Sequence, residues 1–425
     1  MKKLLALVLI LLFLLSLAGC NDSPTPSVTA PPQNTTGETQ VPQETTSGIP
    51  HGVSFPLPTR WDFLQERNNG IMLDEGYYYL ANGNLAFVDF SNGNSVILCS
   101  KVGCTHENTY GNECDANLHA NGSMDLSPMV YWDGHVYYTS EDYYGTHLYR
   151  RNADGTGKAK LATLAKEYME EKQSISIYDA LLSNGRLYYT LAVSVDIEDE
   201  LSDSIWSIGQ FDVLRCVDLK TGKDEELMRG EQDCALKIIA ASENVVIYSV
   251  TPYYTVPNYD YKTAPMQIVA MNTETGEKGV ILDKTFQELR YFVGIRDNIL
   301  LFREPSESGD QSLIHYDIST GQVLQQVALK NTTSCILSAD YALLYDLDLS
   351  VNTMLDIRTG LAIPGEVDGL RLNVQNVNDK YFIVRQSFPS ENVANEVAYS
   401  HLCFCPFSAL EDGFQQEDLV PFYPN

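Results

Sequence analysis

Three cysteines and a histidine fall within sixteen residues of this chain: Cys99, Cys104, His106 and Cys114, spaced Cys-x4-Cys-x-His-x7-Cys, with His119 a further imidazole beyond them. Three thiolates and one imidazole form the donor set of a tetrahedral zinc or iron centre, soft sulfur with one borderline nitrogen. The spacing matches no standard zinc finger, and three chemistries stay open. A structural metal clip would order the surrounding segment only when loaded. A disulfide between two of the three cysteines would leave the third free and suits an oxidising compartment. A catalytic or redox metal needs an open coordination position, which four protein donors would close.

Two other stretches carry side chains suited to binding. Thr251-Pro252-Tyr253-Tyr254-Thr255-Val256-Pro257-Asn258-Tyr259-Asp260-Tyr261 puts four tyrosines and two prolines in one loop, an aromatic platform for a glycan or peptide unless the rings fold down onto their own support. The stretch 196–206 holds Asp196, Glu198, Asp199, Glu200 and Asp203 beside Trp206, and reads as a solvated acidic loop or as a calcium or cationic-partner site. Cys216, Cys234, Cys335, Cys403 and Cys405 sit in apolar, alternating contexts, where cysteine serves as a small core hydrophobe.

The elements that must position these residues repeat along the chain. A short apolar strand meets a turn of Asp or Asn with Gly, a tyrosine-rich strand follows, then a loop, a strand ending near Asp, a second Gly turn and a last strand. One copy reads Tyr131-Trp132-Asp133-Gly134-His135-Val136-Tyr137-Tyr138; another reads Ser183-Asn184-Gly185-Arg186-Leu187-Tyr188-Tyr189. The second turn recurs as Asn92-Gly93, Asp154-Gly155, Thr221-Gly222, Thr275-Gly276, Thr320-Gly321 and Thr359-Gly360. Strands punctuated by such hairpin signals at a period of some tens of residues predict an all-β fold, a β-propeller of four-stranded blades. About seven copies argue for seven blades, with six or eight as alternatives. Adjacent tyrosines such as Tyr77-Tyr78, Tyr137-Tyr138 and Tyr188-Tyr189 point to opposite faces of a strand, so each pair is expected to fill the contacts on both sides of a blade.

The loop between second and third strands is the one that varies in length, at 140–145, 194–209, 251–266, 304–311 and 387–396, while the other rim carries only tight turns. Elaboration on one rim of a rigid scaffold marks the working face. The Cys-His cluster follows the first copy's last strand and is expected on that same rim. Residues 51–69 either cap the ring or add a closing strand.

The segment 148–161 resembles the repeat of TolB-like propellers and related bacterial lipoprotein propellers, and weaker copies extend that resemblance over most of 71–422. The Cys-His segment is similar to one in propeller lipoproteins of anaerobic Gram-positive bacteria. These resemblances imply a fold; propellers carry unrelated activities, so function has to come from a site.

The N-terminus bears on location. Lys2 and Lys3, an apolar run from Leu4 to Leu15, and Leu17-Ala18-Gly19-Cys20 together resemble a bacterial lipobox, which implies cleavage after residue 19 and lipid on Cys20. The expected organisation is a signal peptide at 1–19, a lipidated Cys20 with a Ser/Thr/Pro stalk through residue 50, and a propeller over 51–425. Residues 21–50 hold six Pro, seven Thr and three Ser, too little apolar surface to fold. The expected location is the outer face of the cell membrane.

The chain carries 28 Lys and Arg against 56 Asp and Glu, a net charge of −28, and loss of the signal lysines lowers it further. That balance repels nucleic acid and anionic headgroups, so the lipid anchor has to do the membrane binding. No Ser-His-Asp order, phosphate loop or nucleotide fingerprint appears. The leading expectation is a tethered propeller binding a solute, glycan or protein partner on its loop-bearing face. The alternative is a surface enzyme, a polysaccharide lyase or hydrolase, with its site at the axial channel mouth.

Overall fold

The computed structural model describes residues 52–63, 70–107, 114–118, 129–142, 145–171, 173–199, 204–231, 234–252, 260, 263–285, 291–305, 311–329, 334–337, 341–345, 351–356, 362–364, 371–389, 397–410 and 416–422. All belong to one compact unit, Gly48–Asn425.

The described strands form seven antiparallel sheets, six of four strands and one of five. After β1 (Asp62–Phe63), the first sheet holds β2 (Gly70–Met72), β3 (Gly76–Ala81), β4 (Asn84–Asp89) and β5 (Ser95–Ile97). The second holds β6 (Met129–Trp132), β7 (His135–Asp142), β8 (Gly145–Asn152) and β9 (Ala159–Thr163), followed by the helix α1 (Lys166–Glu170). The third holds β10 (Ser174–Ser183), β11 (Arg186–Asp199), β12 (Ser204–Asp218) and β13 (Asp224–Arg229); the fourth, β14 (Cys234–Ser242), β15 (Val245–Pro252), β16 (Pro265–Asn272) and β17 (Lys278–Thr285). The fifth holds β18 (Tyr291–Arg296), β19 (Ile299–Pro305), β20 (Gln311–Asp317) and β21 (Gln322–Leu329). The sixth holds β22 (Ser334–Leu337), β23 (Tyr341–Tyr345), β24 (Val351–Asp356) and β25 (Ala362–Pro364). The seventh holds β26 (Arg371–Val377), β27 (Tyr381–Pro389), β28 (Val397–Pro406) and β29 (Val420–Phe422).

In each sheet the strands pair in chain order, and first strands touch first strands of neighbouring sheets, as β2 with β6, β10 with β14 and β14 with β18. First strands therefore line the axis and last strands the circumference. This is the all-β propeller of four-stranded antiparallel blades that the repeat predicts. Among the described residues no helix is long and apolar enough to cross a membrane.

The tyrosine pairs pack as their alternation requires. Tyr77 joins a core with Phe404 and Phe422 of the seventh sheet, while Tyr78 joins one with Val136 and Tyr138 of the second. Tyr189 faces Tyr137 and Leu148, whereas Tyr188 faces Leu236 and Tyr248. All six paired tyrosines are buried.

Turn chemistry fixes one rim. Asp133 and Gly134 (φ 48° and 75°), like Asn184 and Gly185 (φ 46° and 73°), are left-handed pairs that match the twist of a two-residue hairpin. At Gly185 a Cβ would stand 2.6 Å from the Trp132 ring, so glycine is required there for space as well. The two turns of one sheet are joined: Ala153 N–H donates to Gly134 O (3.0 Å), Leu219 to Gly185 (3.0 Å) and Thr273 to Asn244 (2.7 Å). The connections between second and third strands lie at the other rim.

Residues 52–63 neither add a closing strand to the last sheet nor remain a loose cap. Val53, Phe55, Leu57 and Trp61 pack on the core shared by the fourth and fifth sheets, and β1 pairs with the axial strand β14, Asp62 opposite Ala241. The ring closes through side chains. Asn376 Nδ2 donates to Gly70 O (2.9 Å), and Asn378 Nδ2 to Leu73 O (3.0 Å).

Candidate metal centre

The first sheet has a two-residue connection between its second and third strands, Asn82 and Gly83, and the chain that leaves β5 folds back over it. Leu98 N–H donates to Leu85 O (2.9 Å), Leu85 N–H to Ala116 O (2.8 Å) and Leu118 N–H to Gly83 O (3.2 Å). Two arms, 98–107 and 114–118, are thereby held at the loop rim. Ala116 and Leu118 are buried, and Leu118 joins the core between the first and second sheets.

The first arm bends at Cys99, whose N–H donates to Ile97 O (2.9 Å), and turns again where Cys104 N–H donates to Lys101 O (3.3 Å). His106 follows in the left-handed region at φ 57°, uncommon for a residue with a side chain. Its carbonyl is fixed by Asn84 Nδ2 at 2.7 Å, from a residue 1% exposed at the start of β4. Ser100 Oγ donates to Asp115 Oδ2 (2.8 Å) and ties the arms together. The result gathers the Cys99, Cys104 and Cys114 sulfurs and an imidazole nitrogen of His106 within 4.8 Å of one another, with His106 Nδ1 3.4 Å from Cys114 Sγ.

A tetrahedron with metal–sulfur bonds of about 2.3 Å has donor–donor edges of about 3.8 Å. The four donors need contract by no more than about 1 Å to surround an ion. Cys114 is buried and the other three half-buried. Burial opposes ionisation of Cys99, but the Lys101 and Asp115 backbone N–H groups and the neighbouring thiols outweigh it and hold this thiol below its ordinary range. Burial, reinforced by the Cys104 and Cys99 thiols, pushes Cys114 up to about 12. A divalent cation held here would favour the thiolate form of its sulfur donors. Cys99, Cys104 and Cys114 form no disulfide in this structure.

The other expected site residues fare differently. Tyr253, Tyr254, Tyr259, Tyr261 and His119 lie outside the described residues. In the acidic stretch around Trp206, residues 196–199 and 204–206 are strand rather than loop: β11 and β12 run on as a paired ribbon, with Ile197 opposite Trp206 and Asp199 opposite Ser204. The reason is the alternation Val193-Ser194-Val195-Asp196-Ile197-Glu198, a strand pattern that its charge obscured. Cys216, Cys403 and Cys405 are buried as core hydrophobes, and burial pushes the Cys403 thiol up to about 12. Asn84, which holds His106, carries no local signal in the sequence beyond following a turn.

Strand order and axial contacts define the class as a β-propeller. No family model and no curated protein matches this sequence. Among solved structures the chain is similar to a puromycin-hydrolysing peptidase of Mycobacterium tuberculosis, at 10% identity and a TM-score of 0.52, covering 84% of this chain and 55% of that one. It is also similar to an oligogalacturonate lyase in complex with manganese (12% identity, TM-score 0.46, 77% and 93% covered). TolB from Acinetobacter baumannii is a third (13% identity, TM-score 0.37, 65% and 62% covered). The chain spans about half the length of the peptidase, and at that identity the likeness speaks to the fold alone.

Proposed function

We propose that this chain is a lipid-anchored propeller of seven blades on the outer face of a bacterial cell membrane. Its loop-bearing rim binds a solute, glycan or protein partner, and Cys99, Cys104, His106 and Cys114 hold a zinc or iron ion that clips the link after the first blade to that rim. The convergence of four metal donors within 4.8 Å, on the rim where the hairpins are elaborated, supports the reading best. A closed Cys3His set suits a structural ion, since no position is left for water or substrate. The ion would neutralise the thiolates and brace the two arms over the shortest hairpin of the rim, leaving the longer ones free to meet a partner.

The test uses the full chain produced in a Gram-positive host. Wild type is expected in the membrane fraction and Cys20→Ala in the medium; equal partitioning would overturn the anchor. Glycan and peptide arrays probed with wild type and with a variant replacing Tyr253, Tyr254, Tyr259 and Tyr261 by alanine test the rim. Binding that survives the substitution would place the recognition surface elsewhere.

A further inference from the structure

Among the described residues the outermost strand of each of the seven sheets is paired on one side only, and an unpaired edge is a template for pairing with another strand. Six of the seven are guarded. β5, β25 and β29 are three residues long, and the last two contain Pro364 and Pro421. β9 is five residues with Lys160 at its second position, and β13 reads Asp224-Glu225-Glu226-Leu227-Met228-Arg229. β17 carries Lys278, Asp283 and Lys284, and the backbone of residues 52–53 lies against its Gly279 and Val280.

Among the described residues, β21 has none of these devices. It is eight residues long, Gln322-Val323-Leu324-Gln325-Gln326-Val327-Ala328-Leu329, without a charge or a proline in a chain of net charge −28. A bulge against β20 at Leu324 leaves Val323 57% and Leu324 56% exposed, and Gln325–Leu329 follow as five continuous paired residues.

We infer that β21 is a homotypic docking edge, at which two copies of this chain pair antiparallel about a two-fold axis and join two blades into one eight-stranded sheet. Self-pairing demands that a strand tolerate its own side chains opposite it. Any two-fold register of Gln325–Leu329 sets only amides and aliphatic groups against each other, whereas β13 would confront its own carboxylates. Outward N–H and C=O groups supply the ladder, and Val323 and Leu324 supply apolar area at its end. One edge buries much less than the roughly 1,000 Å² of a stable interface, and the acidic bodies repel, so the dimer is weak and strengthened by salt.

The test is sedimentation velocity over a concentration series, at low and high salt, on the unit Gly48–Asn425, which contains every described strand and core cluster. The expected result is a monomer–dimer equilibrium that shifts to dimer with salt, with slowed amide exchange at Gln325–Leu329. The comparison is a Gln326→Lys, Ala328→Lys variant, both positions being exposed. It lowers net repulsion yet is expected to abolish the dimer, because lysine guards an edge. A monomer under all conditions, or a dimer that persists in a folded variant, would overturn the inference. If the double variant melts early, Gln326→Lys alone and the exchange pattern of wild type decide.

Discussion

Asn84 offers the cleanest perturbation of the centre, because it is not a donor to the ion. Its Nδ2 holds the His106 carbonyl at 2.7 Å, and its buried Oδ1 has no partner, so Asn84→Ala removes one hydrogen bond from the metal arm. The carbonyl is half-buried, so the loss is that of an ordinary net hydrogen bond, about 0.5–1.5 kcal/mol. If that cost falls on the conformation in which His106 reaches the sulfurs, it converts at about 1.4 kcal/mol per tenfold to zinc binding weaker by about 2- to 12-fold. Competition against a chromophoric chelator at fixed pH reads this directly, with far-ultraviolet circular dichroism showing that the blades persist. Affinity unchanged in a folded Asn84→Ala protein would refute the idea that the left-handed His106 is held in place for the ion.

Two further predictions concern the ring. Asn376 donates to Gly70 O and accepts from Val377 N–H while 3% exposed, so Asn376→Ala is expected to cost about 2–4 kcal/mol in urea unfolding, and an effect near zero would mean that the seam closes without it. Asp179 lies on β10 with Oδ2 buried and without a hydrogen-bond partner, and burial raises its carboxyl to about 6 from 3.8. The folded state then holds this proton more tightly than the unfolded chain, so stability from this group is present below about pH 4 and lost as pH rises through about 6. Asp179→Asn is accordingly expected to stabilise the protein by up to about 3 kcal/mol near neutral pH and by nothing in acid; urea midpoints at the two extremes that move equally would contradict it.

Much of this molecule is legible in its sequence, because the signals that matter are local. Asp133-Gly134 and Asn184-Gly185 specify hairpins by backbone geometry, and Tyr137-Tyr138 specifies burial on both faces by alternation. The Cys-His donors were visible because they sit within sixteen residues. What stayed hidden depends on distant contacts. Nothing near Asp62 and Phe63 announces that they pair with Ala241 and Ala240, and nothing near Asn84 announces His106. The ribbon around Trp206 was obscured for another reason: five acids in the stretch suggested solvent, while the alternation beneath them specified a strand.

If four side chains of one rim hold an ion, the purified protein must contain it. The unit Gly48–Asn425, purified without oxygen, should carry about one zinc or iron per chain by elemental mass spectrometry, and a variant with Cys99, Cys104 and Cys114 all changed to serine should carry none. Wild-type protein free of metal, or with two of these sulfurs joined in a disulfide in the intact mass, would contradict the account and leave the rim without its clip.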